Sequence, residues 1–143
     1  MTALICILSH LLCFATGVTP MDTVASRLEQ QKWLFPQERV SVTTDAEEYA
    51  AGDTIHMDVS LLDQSTLQPS ALSRFVYVEL SDPFGSTCRR VKLRNTSERI
   101  HGYVALPSEM AEGIYSLTIY TRFMESSGPD YFFTKPVYIY GSG

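Results

Sequence analysis

The sequence predicts an all-β domain, a seven-stranded antiparallel β-sandwich. Three observations carry that prediction. Ile114 to Phe123 alternates, with Tyr115, Leu117, Ile119, Thr121 and Phe123 on one face and Ile114, Ser116, Thr118, Tyr120 and Arg122 on the other. Successive strand side chains point to opposite faces, so the first set lines a core and the second stays largely wet. Short alternating runs then recur along the chain, separated by turn residues. The composition, 45% hydrophobic and 11% aromatic over 143 residues, is enough for one folded core.

The elements follow in order. Ala3 to Phe14 is uncharged and apolar, too short for the about 20 residues that span a bilayer comfortably. Ala15-Thr16-Gly17 has the small-x-small spacing of a cleavage site, so residues 1–17 read as a signal peptide removed before Val18. No Lys or Arg precedes the apolar run, which is atypical for such a segment. Residues 18–36 form a leader with a short helix or extended arm, capped by Asp22 or Thr23 and ended at Phe35-Pro36. The sandwich occupies residues 37–140. Its strands are Glu38–Thr44, Thr54–Asp63, Arg74–Ser81, Thr87–Arg94, Arg99–Leu106, Ile114–Phe123 and Tyr131–Tyr140. Tyr49 to Asp53 reads as a turn with Gly52 at positive φ. Asp82-Pro83-Phe84-Gly85 is a second turn, with Pro at its second position. Ser126 to Asp130 closes the final hairpin. Pro136 gives the last strand no N–H for a ladder, so that strand is at an edge or broken there. Residues 141–143 read as a terminal tail or linker.

Charge and motif content narrow the function. A net charge of −5 argues against a nucleic-acid-backbone binder. The basic run Arg89, Arg90, Lys92, Arg94 reads as a solvated strand face. Cys6 and Cys13 leave with the signal peptide, so Cys88 has no intrachain disulfide partner. His56 and His101 sit singly in strands. No HExxH, CxxC, phosphate loop or nucleophile elbow is present, and Asp45, Glu47 and Glu48 lack the oxygen ladder of a calcium loop. Asn95-Thr96-Ser97 fits a glycosylation acceptor pattern that is common by chance. The expectation is a non-enzyme with no catalytic, metal or cofactor residues.

Four motifs in order carry a family resemblance. They are Thr44-Asp45 followed by Tyr49-Ala50-Ala51-Gly52-Asp53-Thr54-Ile55; Phe75 to Leu80 with Asp82-Pro83-Phe84-Gly85; Leu106-Pro107 with Glu112-Gly113-Ile114-Tyr115-Ser116-Leu117; and Tyr120 to Met124 with Gly128 to Pro136. Residues 36–140 resemble a macroglobulin-like domain of the second type, and the last motif is similar to a bacterial branch in large envelope proteins. The resemblance implies a spacer or protein-contact module, exported to the periplasm or outer membrane of a Gram-negative bacterium. It implies as partners an envelope protein or downstream domains of the same polypeptide, with no membrane span after signal removal. The thioester Cys-Gly-x-Gln motif and a bait region are absent, so protease trapping does not carry over.

Two functional readings remain. One is a non-catalytic envelope module, and the other is a carbohydrate-binding module suggested by Trp33 and eight Tyr. A flat line of exposed Tyr would favour the second. The best candidate contact surface is Arg122, Met124, Tyr131 and Phe132, because end loops on a rigid scaffold carry recognition and these residue types are enriched at interfaces.

Overall fold

The computed structural model describes residues 20–34, 36–96 and 99–141. The expected signal peptide, residues 1–17, lies outside the described residues, as do the last two residues of the expected tail. Two compact units divide the chain, Met1–Leu34 and Phe35–Gly143. The first contains helix α1, Pro20–Leu34. Pro20 opens it because a fixed φ suits the first helical position, where no N–H is needed. The Trp33 side chain is outside the described ones.

The second unit is a β-sandwich of eight strands in two sheets. The strands are β1 Glu38–Thr44, β2 Glu48–Ala50, β3 Thr54–Asp63, β4 Phe75–Ser81, β5 Thr87–Arg94, β6 Ile100–Ala105, β7 Gly113–Tyr120 and β8 Phe133–Tyr140. One sheet has the order β1-β3-β6 and the other β2-β8-β7-β4-β5. The expected period of two holds on the inner faces. Ile55, Met57, Val59 and Leu61 of β3 face Val76, Val78 and Leu80 of β4, Tyr115, Leu117 and Ile119 of β7, and Val137 and Ile139 of β8 in one core cluster. Leu117 and Ile119 are fully buried, whereas Ile114 on the other face is 63% exposed.

Three expectations are corrected. The strand count is eight rather than seven, because Glu48–Ala50 is a strand and not part of a turn. It pairs in parallel with β8, so the sheet is not wholly antiparallel. Three residues are too few to show alternation, and what holds them is distant: Tyr49 is 5% exposed in the core. The turn proper is confined to Ala51–Asp53, with Gly52 at φ 91° as expected.

The second correction concerns the run Ile114–Phe123. The strand stops at Tyr120, and Arg122–Ser127 is a short helix, α2. Thr121 caps it with extended backbone and a side-chain oxygen that accepts the Met124 N–H at 3.2 Å. Capping satisfies an orphan donor of the first turn, and this local bond overrides the β-propensity of Phe123. A single 3-10 turn, Pro129–Tyr131, leads into β8, which begins two residues later than expected.

The third correction is Tyr120. It lies on the expected wet face yet is only 5% exposed. Tyr77 and Phe132 stack on either side of its ring at 5.6 and 4.6 Å. The Pro136 expectation has a specific outcome. Strand β8 is interior in the sheet order, but β2 covers only Tyr138–Tyr140, so the ladder on that side does not reach Pro136.

The two sheets leave two seams. Thr44 accepts a hydrogen bond from Lys135 Nζ at 2.7 Å across the β1–β8 seam. At the other seam β5 and β6 are both edge strands and are not paired.

Candidate protein-contact site

The segment from Thr121 to Phe132 crosses one end of the sandwich, and a buried carboxylate fixes it there. Glu38, the first residue of β1, is 4% exposed. Its Oε1 accepts from Ser70 Oγ at 2.8 Å and from the Ser73 N–H at 3.0 Å. Its Oε2 accepts from Ser73 Oγ and Thr121 Oγ1, both at 2.6 Å. Four donors thus converge on an acceptor-only group, which matches its chemistry. One side chain therefore ties β1, the loop after β3 and the cap of α2 together. Asn95 Nδ2 reinforces the same loop by donating to the Ser70 and Ser73 carbonyls at 2.8 and 3.0 Å. The nitrogen that would carry a glycan is thus already engaged in the fold.

The four expected contact residues separate into three environments. Arg122 has a side chain 74% exposed, pairs with Glu125 at 2.8 Å and places its guanidinium 5.2 Å from the Tyr77 ring centroid. It borders a groove of about 450 Å³ lined by Leu72, Phe75, Tyr77 and Phe123. Tyr131, 47% exposed, and Phe132, half-buried, border a second groove of about 340 Å³ with Gln37, Arg39 and Gln64. Met124 is 2% exposed and belongs to the core. It is not available at a surface, because α2 turns that side chain inward beneath the capped first turn.

The sequence did not single out Tyr77, Tyr120 or Lys92 for this surface. Tyr77, Tyr120 and Phe132 form an aromatic stack on the outer face of the larger sheet, and Lys92 Nζ lies 3.9 Å from the Phe75 centroid beside it. The Tyr120 hydroxyl donates to Glu79 at 2.7 Å, and Arg90 pairs with the same carboxylate. Burial, then the Glu79 carboxylate, push the Tyr120 phenol up to about 12. Alternation places Tyr77 and Lys92 on this face, but only the register of β4 with β5 and β7 brings the rings and cations together.

The remaining chemistry-bearing groups lie elsewhere. On the outer face of the smaller sheet Asp58 and His101 are cross-strand partners in contact, and His56 and Tyr103 rings lie 6.3 Å apart. The Cys88 thiol points to the Ser86 carbonyl at 3.6 Å. Among the described residues no group of three His, Cys, Asp or Glu is placed to hold a metal ion, and no helix is long and apolar enough to cross a membrane.

No family model and no curated protein matches the chain. Solved structures do. The sandwich is similar to Salmonella alpha-2-macroglobulin reacted with methylamine, with a TM-score of 0.58, 13% identity and coverage of 74% of this chain and 6% of that one. Trypsin-activated alpha-2-macroglobulin from Escherichia coli gives 0.57, 16%, 71% and 6%. The native conformation of the Escherichia coli protein gives 0.57, 15%, 71% and 6%. The chain thus spans a small fraction of the length of these proteins, and at such identities the likeness is one of fold. The Gly52 turn, the Asp82–Gly85 turn and the entry to β7 occupy the positions that the sequence motifs assigned to them. The domain therefore has a macroglobulin-like β-sandwich fold.

Proposed function

We propose that this chain is a non-catalytic module of a larger exported protein, which holds neighbouring domains or docks an envelope protein through the end that carries α2. The observation that carries this reading is the Glu38 network. It fixes three separate chain segments under Arg122, Tyr131 and Phe132 with one buried group, so the end surface is a rigid scaffold. The two grooves flanking the aromatic stack give that surface relief, and Tyr and Arg are the residue types that dominate binding energy when they fill a partner's pockets. The likeness of fold to bacterial macroglobulins supports a role within a longer polypeptide. Export, with cleavage after Gly17, and residence in the periplasm or at the outer membrane belong to the same reading.

The alternative is carbohydrate binding. The exposed tyrosines do not favour it: Tyr103 is on β6, Tyr131 on the 3-10 turn and Tyr140 at the end of β8. They lie on separate elements and form no platform along one sheet face.

The test is a photo-crosslinking residue placed at position 131 in cells, with mass spectrometry of the mature chain and its adducts. Expected are a chain beginning at Val18 and a discrete protein adduct that Arg122→Ala weakens. Glycan-array binding by the chain without any protein adduct would overturn the proposal.

A further inference from the structure

The larger sheet carries opposite surfaces on its two edges. On the β2–β8 side, Ile114 of β7 pairs with Tyr138 of β8, and the Tyr138 and Tyr140 rings meet edge-on at 4.9 Å. Ile114 is 63% and Tyr140 44% exposed. Two carboxylates frame this apolar patch: Tyr138 donates to Glu112, and Tyr140 donates to Glu48. Glu47, with a side chain 87% exposed, is a third acid at the same edge and lies 4.0 Å from Lys135 Nζ.

On the opposite edge, β5 and β6 border a groove of about 460 Å³. Val91, Leu93 and Val104 line it, with Tyr103 beside them. Leu93 lies across bare Gly102, where an added Cβ would sit 2.5 Å from Leu93 Cδ1, so the floor of the groove is apolar side chain over backbone. Arg89 and Lys92 are at its rim, and His101, in contact with Asp58, is on the β6 side; Arg94 lies on the other face of β5 from Leu93. Arg89, Lys92 and Arg94 have no carboxylate partner among the described residues. An apolar groove with a basic rim therefore stands opposite an apolar patch with an acidic rim.

These surfaces cannot meet within one chain. The patch lies on β7 and β8, two and three strand spacings from β5 in a hydrogen-bonded sheet, a distance of roughly 10–15 Å at ordinary strand spacing. We propose that the occupant of the β5–β6 groove is a second copy of this chain, presenting its Ile114, Tyr138 and Tyr140 patch with Glu48 and Glu112 facing Arg89 and Lys92. Such a contact is head-to-tail, because each copy uses two different surfaces, and it leaves one of each free for further copies. The overall charge of −5 opposes it at long range, so the contact is weak and its specificity comes from local complementarity. The inference goes beyond the envelope-module reading and does not use the Arg122–Phe132 end, so either can fail alone.

Sedimentation velocity of the full chain, up to about 500 µM where small transient interfaces are populated, decides it. The weight-average sedimentation coefficient should rise with concentration. Glu48→Lys with Glu112→Lys should abolish that rise, although it moves the net charge toward neutrality and so reduces general repulsion. Arg89→Glu with Lys92→Glu should abolish it too. Mixing the two charge-reversed chains should restore association, because the Lys-bearing patch of one then meets the Glu-bearing groove of the other, and the unaltered patch meets the unaltered groove. Ile114→Ser, at an exposed position where folding does not depend on the side chain, should weaken association at least about fivefold, the loss of one exposed apolar contact. A wild-type coefficient independent of concentration would overturn the proposal, as would reversed variants that associate as the wild type does.

Discussion

Replacing Glu38 tests the claim that one buried carboxylate holds the candidate end of the sandwich. In Glu38→Ala the donors of Ser70, Ser73 and Thr121 lose their shared acceptor, including a backbone N–H that cannot rotate away. Hydrogen bonds to a charged group are each worth about 1.5–3 kcal/mol net, but burying the charge itself costs several kcal/mol. The expected loss is therefore well below the sum of four bonds, about 3–5 kcal/mol, the range for breaking a buried charged network. Glu38→Gln keeps one oxygen for Ser70 and the Ser73 N–H. Its new amide donor faces Ser73 Oγ and Thr121 Oγ1, hydroxyls that can turn to accept. Thr121 Oγ1 already accepts from the Met124 N–H, so accepting the amide as well leaves its own O–H without the Glu38 oxygen, and the cost is about 1–3 kcal/mol. Urea unfolding followed by circular dichroism gives both values by linear extrapolation. Amide exchange should speed up first in α2 and around Ser70–Ser73. A Glu38→Ala chain within about 0.5 kcal/mol of wild type would refute the reasoning, since that is the range of an ordinary surface change. So would a Gln variant that costs more than Ala.

Other outcomes follow from single positions. Leu117→Ala should lose about 2–5 kcal/mol in the same urea assay, since Leu117 is 0% exposed at the centre of β7. Gly52 has φ 91° with only ordinary contacts to Ser108 around an added Cβ, so the penalty there is conformational rather than steric. Gly52→Val should therefore destabilise more than Gly52→Asn, and equal melting temperatures would remove the turn argument. At the candidate site, Met124→Ala should cost about 2–5 kcal/mol, whereas Arg122→Ala should stay within about 0.5 kcal/mol, because one side chain is core and the other is exposed. Burial is the first cause that pushes the Tyr49 and Tyr120 phenols up to about 12, with Asp45 and Glu79 adding to it. Their folded values exceed the unfolded value of 10.0, so the stability they contribute is complete below pH 10 and is lost as pH rises toward 12. Tyr120→Phe should flatten that alkaline limb of a stability–pH curve.

The fold was legible where the information is local and the candidate site was not where it is distant. Period-two alternation named Tyr115, Leu117 and Ile119 as the buried residues of β7, though not Tyr120, because a strand reports its own faces within a few residues. Gly52 and the Asp82–Gly85 turn were legible for the same reason, since a positive φ or a proline-led turn is a property of one or two residues. Strand β2 was missed because its three residues carry no period and its partner β8 lies some ninety residues away. Thr121 shows the same limit more sharply. Its β-propensity and its place in an alternating run both argued for a continued strand, yet it ends β7 by capping α2, and what holds the cap is Glu38, 83 residues earlier. Nothing in a charged residue at the start of a strand signals burial, since that position is more often solvated. Only the return of the chain at Ser70, Ser73 and Thr121 supplies the donors that make burial tolerable. The consequence for Met124 is direct. Read as a strand extension followed by a loop, residues 122–132 leave Met124 free to meet a partner. Read as a capped helix pinned from beneath, they must give one side to the core, and Met124 is the residue on that side. The surface left for recognition is then Arg122, Tyr131 and the exposed edge of Phe132, with Tyr77 between the first and the stack, a narrower surface than the residue types alone promised.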